Sequence, residues 1–232
     1  MRYSLMLLVL SVSLFSCGEK ANMVKTFYDE EKKMLKEEYG IKGAPDEAGP
    51  EVRNGLYKAF YEDGKLKEEK VYTDGELNGA RKLYFADGKV DIEENYKNGL
   101  FEGPYKAHFA NGKVKEEGQY VNNEITGLWK YYYESGQLKE EVNFANNLEN
   151  GLYKKYHENG TLAAEGEYKA ETENGLWKYY HANGAEQEQV TYVKGKEEGW
   201  VYVLSETGDT VKWINYKEGR PLSFKEKPQM QQ

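Results

Sequence analysis

Three histidines, His108, His157 and His181, are the only side chains of this 232-residue chain whose ordinary pKa lies close to neutrality. An imidazole in that range shuttles a proton, activates a hydroxyl or thiol, or ligates a metal. The partners for those tasks are missing at any recognisable spacing: there is no Ser-His-Asp set and no phosphate-cradling glycine loop. His157 and His181 stand 24 residues apart at one position of a repeat. On neighbouring β-hairpins such positions are about 10 Å apart, too far for two rings to share a zinc held at about 2 Å per ligand. They read as members of an aromatic stripe, and His108 reads the same way. The glutamates Glu69, Glu93, Glu117, Glu141 and Glu165 offer oxygens of the kind calcium takes, yet each has a lysine to pair with. Asn159-Gly160-Thr161 matches a glycosylation sequon, but a tight turn alone calls for Asn-Gly there. The reading is of no enzyme, no cofactor and no metal.

What remains is architecture and address. With 40 acidic against 32 basic residues the net charge is -8, and no polybasic run offsets it, which argues against nucleic acid as a partner. A mean hydropathy of -0.90 is lean for one thick core. The 21 tyrosines and 24 glycines against 5 prolines favour strands and tight turns.

The first residues read as an export leader: Arg2 precedes the apolar stretch Leu5–Phe15, too short to hold a bilayer as a stable anchor. Its end, Leu14-Phe15-Ser16-Cys17, resembles the lipobox of bacterial lipoproteins, with Phe15 where a smaller or branched residue is usual. That resemblance implies a signal peptide over 1–16, lipid on Cys17 with enough acyl chain for lasting membrane attachment, and, with Gly18 next, a place at the outer membrane or facing the periplasm. Residues 17–53 form the lipidated N-terminus and a connector. Within it Val24, Phe27, Tyr28, Met34, Leu35 and Tyr39 fall at mostly helical spacing before Gly40, which predicts one short amphipathic helix, followed by the Pro/Gly/acid linker 43–50.

From Asn54 the chain repeats every 24 residues through 221, leaving 222–232 as a tail. Opening glycines recur at Gly55, Gly79, Gly103, Gly127, Gly151, Gly175 and Gly199, and turn glycines at Gly64, Gly88, Gly112, Gly136, Gly160, Gly184 and Gly208. Asp-Gly or Asn-Gly between alternating runs marks a β-hairpin in each repeat. A two-residue loop pairs Lys58 with Glu69, Lys82 with Glu93, Lys106 with Glu117, Lys130 with Glu141 and Lys154 with Glu165. The same count pairs Tyr61 with Leu66, Phe85 with Val90, Phe109 with Val114 and Tyr133 with Leu138. A three-residue loop with a glycine bulge shifts that register by one. Short turns exclude parallel pairing. The expected fold is all-β: an open antiparallel meander of seven 24-residue β-hairpin repeats forming one long twisted single-layer sheet, with the short N-terminal helix.

Segments such as Gly127–Gly136, "GLWKYYYESG", and Gly175–Gly184, "GLWKYYHANG", resemble the MORN-repeat variant of bacterial proteins, some labelled YwqK-type antitoxins. The last repeat departs from the pattern, with Tyr202 in place of the recurring Lys and Trp213 in place of the recurring Glu. The resemblance is informative for fold and poor for function. The function read from sequence is a lipid-anchored, non-catalytic binding or scaffold platform in the cell envelope. Its partner is a protein or glycan, and its membrane contact runs through Cys17. The alternative is an antitoxin-like protein that neutralises a partner toxin. The favoured register collects Trp129, Tyr131, Tyr133, Tyr153, His157, Trp177, Tyr179 and His181 as candidate partner-binding residues, an aromatic row that either packs within the sheet or receives the partner.

Overall fold

The computed structural model describes residues 8–10, 22–43 and 51–226, and every regular element among them is a β-strand. Cys17 lies outside the described residues. Two units divide the chain, residues 1–113 with 120–123 and residues 114–119 with 124–232. The first carries β1 Leu8–Leu10, β2 Asn22–Phe27, β3 Leu35–Lys42, β4 Val52–Phe60, β5 Leu66–Thr73, β6 Glu76–Tyr84, β7 Val90–Lys97, β8 Leu100–Phe101 and β9 Gly103–His108. Strand β10, Val114–Val121, is shared between the units. The second carries β11 Glu124–Tyr132, β12 Leu138–Ala145, β13 Leu148–Tyr156, β14 Leu162–Lys169, β15 Thr172–Tyr180, β16 Glu186–Val193, β17 Lys196–Glu197, β18 Gly199–Leu204, β19 Thr210–Lys217 and β20 Arg220–Glu226. Within each unit the strands pair antiparallel in chain order, as short turns require, with β8 and β9 both set against β7 and β17 and β18 both against β16.

The N-terminal helix expected from the 3.6-residue spacing is absent; its residues form the hairpin β2–β3. The reason lies in tertiary packing. Val24, Tyr39, Ile41 and Tyr57 make a buried cluster in which Tyr39 stacks on Tyr57 at 5.9 Å. Pairing of β3 with β4 also sets Glu38 opposite Lys58. A lone helix could bury only one stripe, whereas the strand extends an existing sheet and satisfies its backbone there. The sequence carries the trace of this: Lys25-Thr26-Phe27-Tyr28 and Leu35-Lys36-Glu37-Glu38 echo Lys58-Ala59-Phe60-Tyr61 and Leu66-Lys67-Glu68-Glu69, with a longer loop between. At the other end β20 takes in residues 222–226, which were read as tail.

The hairpin loops have three residues. Tyr61 N–H donates to the Lys65 carbonyl and Gly64 N–H to the Tyr61 carbonyl, with Gly64 at φ +82°, a type I turn closed by a glycine bulge. Asp63 Oδ1 accepts the Lys65 N–H at 3.1 Å, and Asp87, Asn111, Asn159 and Asn183 repeat the contact, which explains the acid or amide before these five turn glycines. The expected Tyr61–Leu66 and Tyr133–Leu138 pairs therefore do not form; Phe60 faces Leu66 and Tyr132 faces Leu138. A second irregularity, one residue further along the strand, restores the count. Lys58 still faces Glu69, Lys82 Glu93, Lys130 Glu141 and Lys154 Glu165.

The turns between repeats are two-residue loops with both central residues left-handed, such as Asp74 (φ 51°) and Gly75 (φ 87°). The second central N–H of each donates backward across the repeat: Gly75 to the Arg53 carbonyl at 2.8 Å, Glu171 to Glu149 at 2.8 Å, Gly195 to Glu173 at 3.0 Å. The first is held by a side chain, as Asp74 N–H is by Asn54 and Ala170 N–H by Asn150. Ala170 (φ 49°) and Glu171 (φ 64°) occupy this loop with neither Gly nor Asn to relieve the strain. Glu171→Gly keeps the backbone donor and removes a Cβ from a left-handed position, so we expect a gain of about 0.5–1 kcal/mol in urea unfolding. A loss of stability would show that the loop is not strained.

Candidate functional site

Alternation along each strand assigns two faces. In the second unit one face carries Trp129, Tyr131, Tyr153, Trp177 and Tyr179, and their rings pack closely: Tyr153 lies tilted 5.2 Å from Trp177, Tyr168 meets Trp177 T-shaped at 5.0 Å, and Trp129 meets Phe144 T-shaped at 6.3 Å. Trp129 and Trp177 are each 3% exposed although no helix or second sheet of the described residues covers them. The indoles lie flat on the neighbouring strand, and that strand is hollowed to take them. A Cβ built on Gly118 or Gly166 would stand 2.2 Å from the Trp129 or Trp177 ring respectively. Trp177 Nε1 donates to the Glu167 carbonyl at 3.2 Å. Tyr153 faces Val142 where Trp177 has Gly166 beneath it, so a smaller ring accompanies a larger neighbour.

Burial removes Trp129 and Trp177 from the candidate contact surface. Of the others expected there, Tyr131 is half-buried beside Trp129, Tyr153 is half-buried among rings, and Tyr179 meets the Tyr192 hydroxyl at 3.5 Å. Tyr133, His157 and His181 do not join this row. They sit at the hairpin loops, where each reaches one repeat forward to a carbonyl: Tyr133 Oη to Tyr156 at 2.8 Å, His157 Nε2 to Tyr180 at 2.9 Å, His181 Nε2 to Leu204 at 2.9 Å. A carbonyl only accepts, so in both imidazoles Nε2 is the donor. Among the described residues no three His, Cys, Asp or Glu side chains converge as metal ligands.

The electrostatics of this face differ between the units. In the first, the Arg53 guanidinium stands 4.8, 5.2 and 5.6 Å from the rings of Tyr39, Tyr57 and Tyr72, and Arg81 bridges Glu68 and Glu94 at 2.7 and 2.8 Å. In the second, burial followed by the charges of Glu140, Glu171 and Glu173 raises the Glu149 carboxyl above its ordinary pKa, and burial alone raises that of Glu188.

The opposite face is wet. Its Lys–Glu ladder is reinforced by tyrosines of the following repeat, Tyr132 Oη donating to Glu117 at 2.6 Å and Tyr180 Oη to Glu165 at 2.8 Å. Next to the ladder Leu128, Leu152, Leu176 and Trp200 recur at one repeat position, 44, 66, 51 and 49% exposed. Each leucine follows a left-handed glycine: Gly127, Gly151 and Gly175. At Gly151 three residues bulge opposite Asn143, whose amide pins the Leu152 carbonyl at 2.8 Å. This row was missed as a site. Its signal was present, because alternation that buries Trp177 must expose Leu176.

Sequential hairpins locked into an antiparallel sheet, with an interior aromatic face and an exposed leucine and Lys–Glu face, define a β-meander repeat protein. The MORN repeat variant model matches residues 53–74, 77–98, 101–122, 125–146, 149–170 and 173–194, more than half of the chain, and the chain belongs to that family. A search of curated proteins finds no match.

Two outcomes follow from this geometry. Gly166→Ala is expected to cost about 1–3 kcal/mol by driving a methyl into the Trp177 ring. Gly166→Val combined with Trp177→Tyr, which copies Val142 and Tyr153, should recover most of the loss; additive losses in denaturant unfolding would refute the pairing. Burial, followed by the hydrogen bond to glutamate, pushes Tyr132 and Tyr180 up from 10.0 to about 12. A raised folded pKa supplies stability below pH 10 that is lost as pH climbs to about 12. Tyrosinate absorbance should therefore rise late and together with unfolding in that window. A titration centred at 10 with the fold intact would contradict it.

Proposed function

We propose that the chain is a non-catalytic binding platform of the cell envelope, held at the membrane by lipid on Cys17, that receives a protein partner on the leucine row of its second unit. The observation that carries this reading is the recurrence of Leu128, Leu152, Leu176 and Trp200 as exposed apolar side chains on a face otherwise built of Lys–Glu pairs. Packing does not account for them, since the apolar interior lies on the other face. An apolar strip rimmed by a charged ladder has the composition of a contact surface, with an apolar centre and a polar rim. The ladder also keeps that strip rigid, so a partner meets it without ordering the sheet first.

The test is a crosslinking pulldown from intact cells with the full chain and with Leu152→Glu combined with Leu176→Glu. Partner recovery should drop about tenfold or more while circular dichroism of the variant is unchanged. Unchanged recovery would remove the leucine row from the proposal. Mass spectrometry of the mature N-terminus tests the anchor separately: an unmodified Cys17 removes the membrane part and leaves the platform standing.

A further inference from the structure

Strand β20 is the last described strand of the second unit, and among the described residues its register places it against β19 alone, with its other side open. All seven of its residues are exposed, Leu222 and Phe224 at 65 and 66%. A strand edge of this kind presents a row of unpaired N–H and C=O groups to any extended segment. Its side chains are those of the first strand of another repeat. Phe224 faces Ile214 as Tyr153 faces Val142, and Lys225 stands where Lys154 stands.

The chain's own pairing rule specifies the missing neighbour. Interior lysines of this column are flanked on both sides, Lys58 by Glu38 and Glu69, Lys82 by Glu69 and Glu93, Lys154 by Glu141 and Glu165. Lys225 has Trp213 on its inner side and, among the described residues, no strand on its outer side. Glu226, already paired with Lys212 at 3.8 Å, disfavours an acid opposite itself. In β14 the corresponding positions are Ala164, Glu165 and Gly166 opposite Lys155, Lys154 and Tyr153. We infer that the outer edge of β20 accepts an extended strand of a partner protein, antiparallel, carrying an acid opposite Lys225, a small residue opposite Phe224 and a non-acidic residue opposite Glu226. Lysine and proline on an edge also serve as guards against pairing, and Pro221 and Lys225 fit that role by composition. A guard repels strands of any charge pattern, whereas a docking edge discriminates among them.

The probe is a synthetic peptide with the sequence of β14, Leu162–Lys169, and a second peptide with lysine replacing its glutamate at the position of Glu165. Both are titrated onto the full chain and onto its Lys225→Glu variant. The exposed position of Lys225 leaves the fold of the variant intact, which circular dichroism checks. We expect the native-sequence peptide to bind the full chain about tenfold more tightly than the lysine peptide, and the order to reverse in Lys225→Glu. Amide exchange at residues 222–226 should slow on peptide addition. Equal binding of the two peptides, no saturable binding, or unchanged exchange in β20 would overturn the inference. So would concentration-dependent self-association through β20 without peptide, which would make the edge a contact between copies of the chain.

Discussion

A sheet with no layer stacked on it must bury its apolar surface against itself. Here that constraint is met by large rings laid flat across the neighbouring strand, and the rest of the second unit adjusts to them. Trp177 is 3% exposed because Gly166 leaves the space beneath it, and because Tyr153, Tyr168, Tyr179 and Tyr192 close around its rim. Tyrosine and tryptophan rings bury large area while keeping a polar tip for the solvent edge, which is why tyrosine, at 21 residues against 8 Phe and 4 Trp, is the main aromatic.

Once one face is given to ring packing, the other must carry solubility and order. The Lys–Glu ladder does so with pairs that are half-exposed, each worth little alone, such as Lys82–Glu93 at 3.2 Å. Their strength is geometric repetition: tyrosine hydroxyls from the next repeat close onto the same glutamates. At both hairpin ends further bonds run 22 or 23 residues along the chain, from turn N–H groups to earlier carbonyls and from Tyr133, His157 and His181 to later ones. Each repeat is thereby tied to its neighbours at the centre and at both margins. The two histidines that looked most like chemistry hold structure, donating through Nε2 to carbonyls that can only accept.

The proposed function rests on what this economy leaves over. The interior face is consumed by packing, so its tryptophans have nothing to offer a partner. The leucines beside the ladder are surplus to packing, and the outer side of β20 meets no strand among the described residues. Both are continuations of the repeat pattern itself: the leucine column recurs with the 24-residue period, and β20 is the first strand of a repeat whose second strand does not follow among the described residues.

Much of the fold was legible because its signals are local or periodic. Glycine and Asp/Asn at fixed spacing dictate turns, and opposite charges at the same count dictate Lys58–Glu69 and its equivalents. The loop register was not legible: a glycine bulge and a second irregularity next to it cancel, so the charge pairs come out the same while Tyr61 and Leu66 part. Nor was the N-terminal hairpin, whose residues fit a helix until a neighbouring sheet offers backbone partners. Gly118 and Gly166 fall outside the recurring glycine registers, and only the fold ties each to a tryptophan 11 residues later. By itself the sequence determined the period, the antiparallel pairing and the Lys–Glu ladder, since these rest on local turns and on charge. Which face is buried was decided only by tertiary structure, because ring burial depends on the space that a glycine on the adjacent strand leaves open.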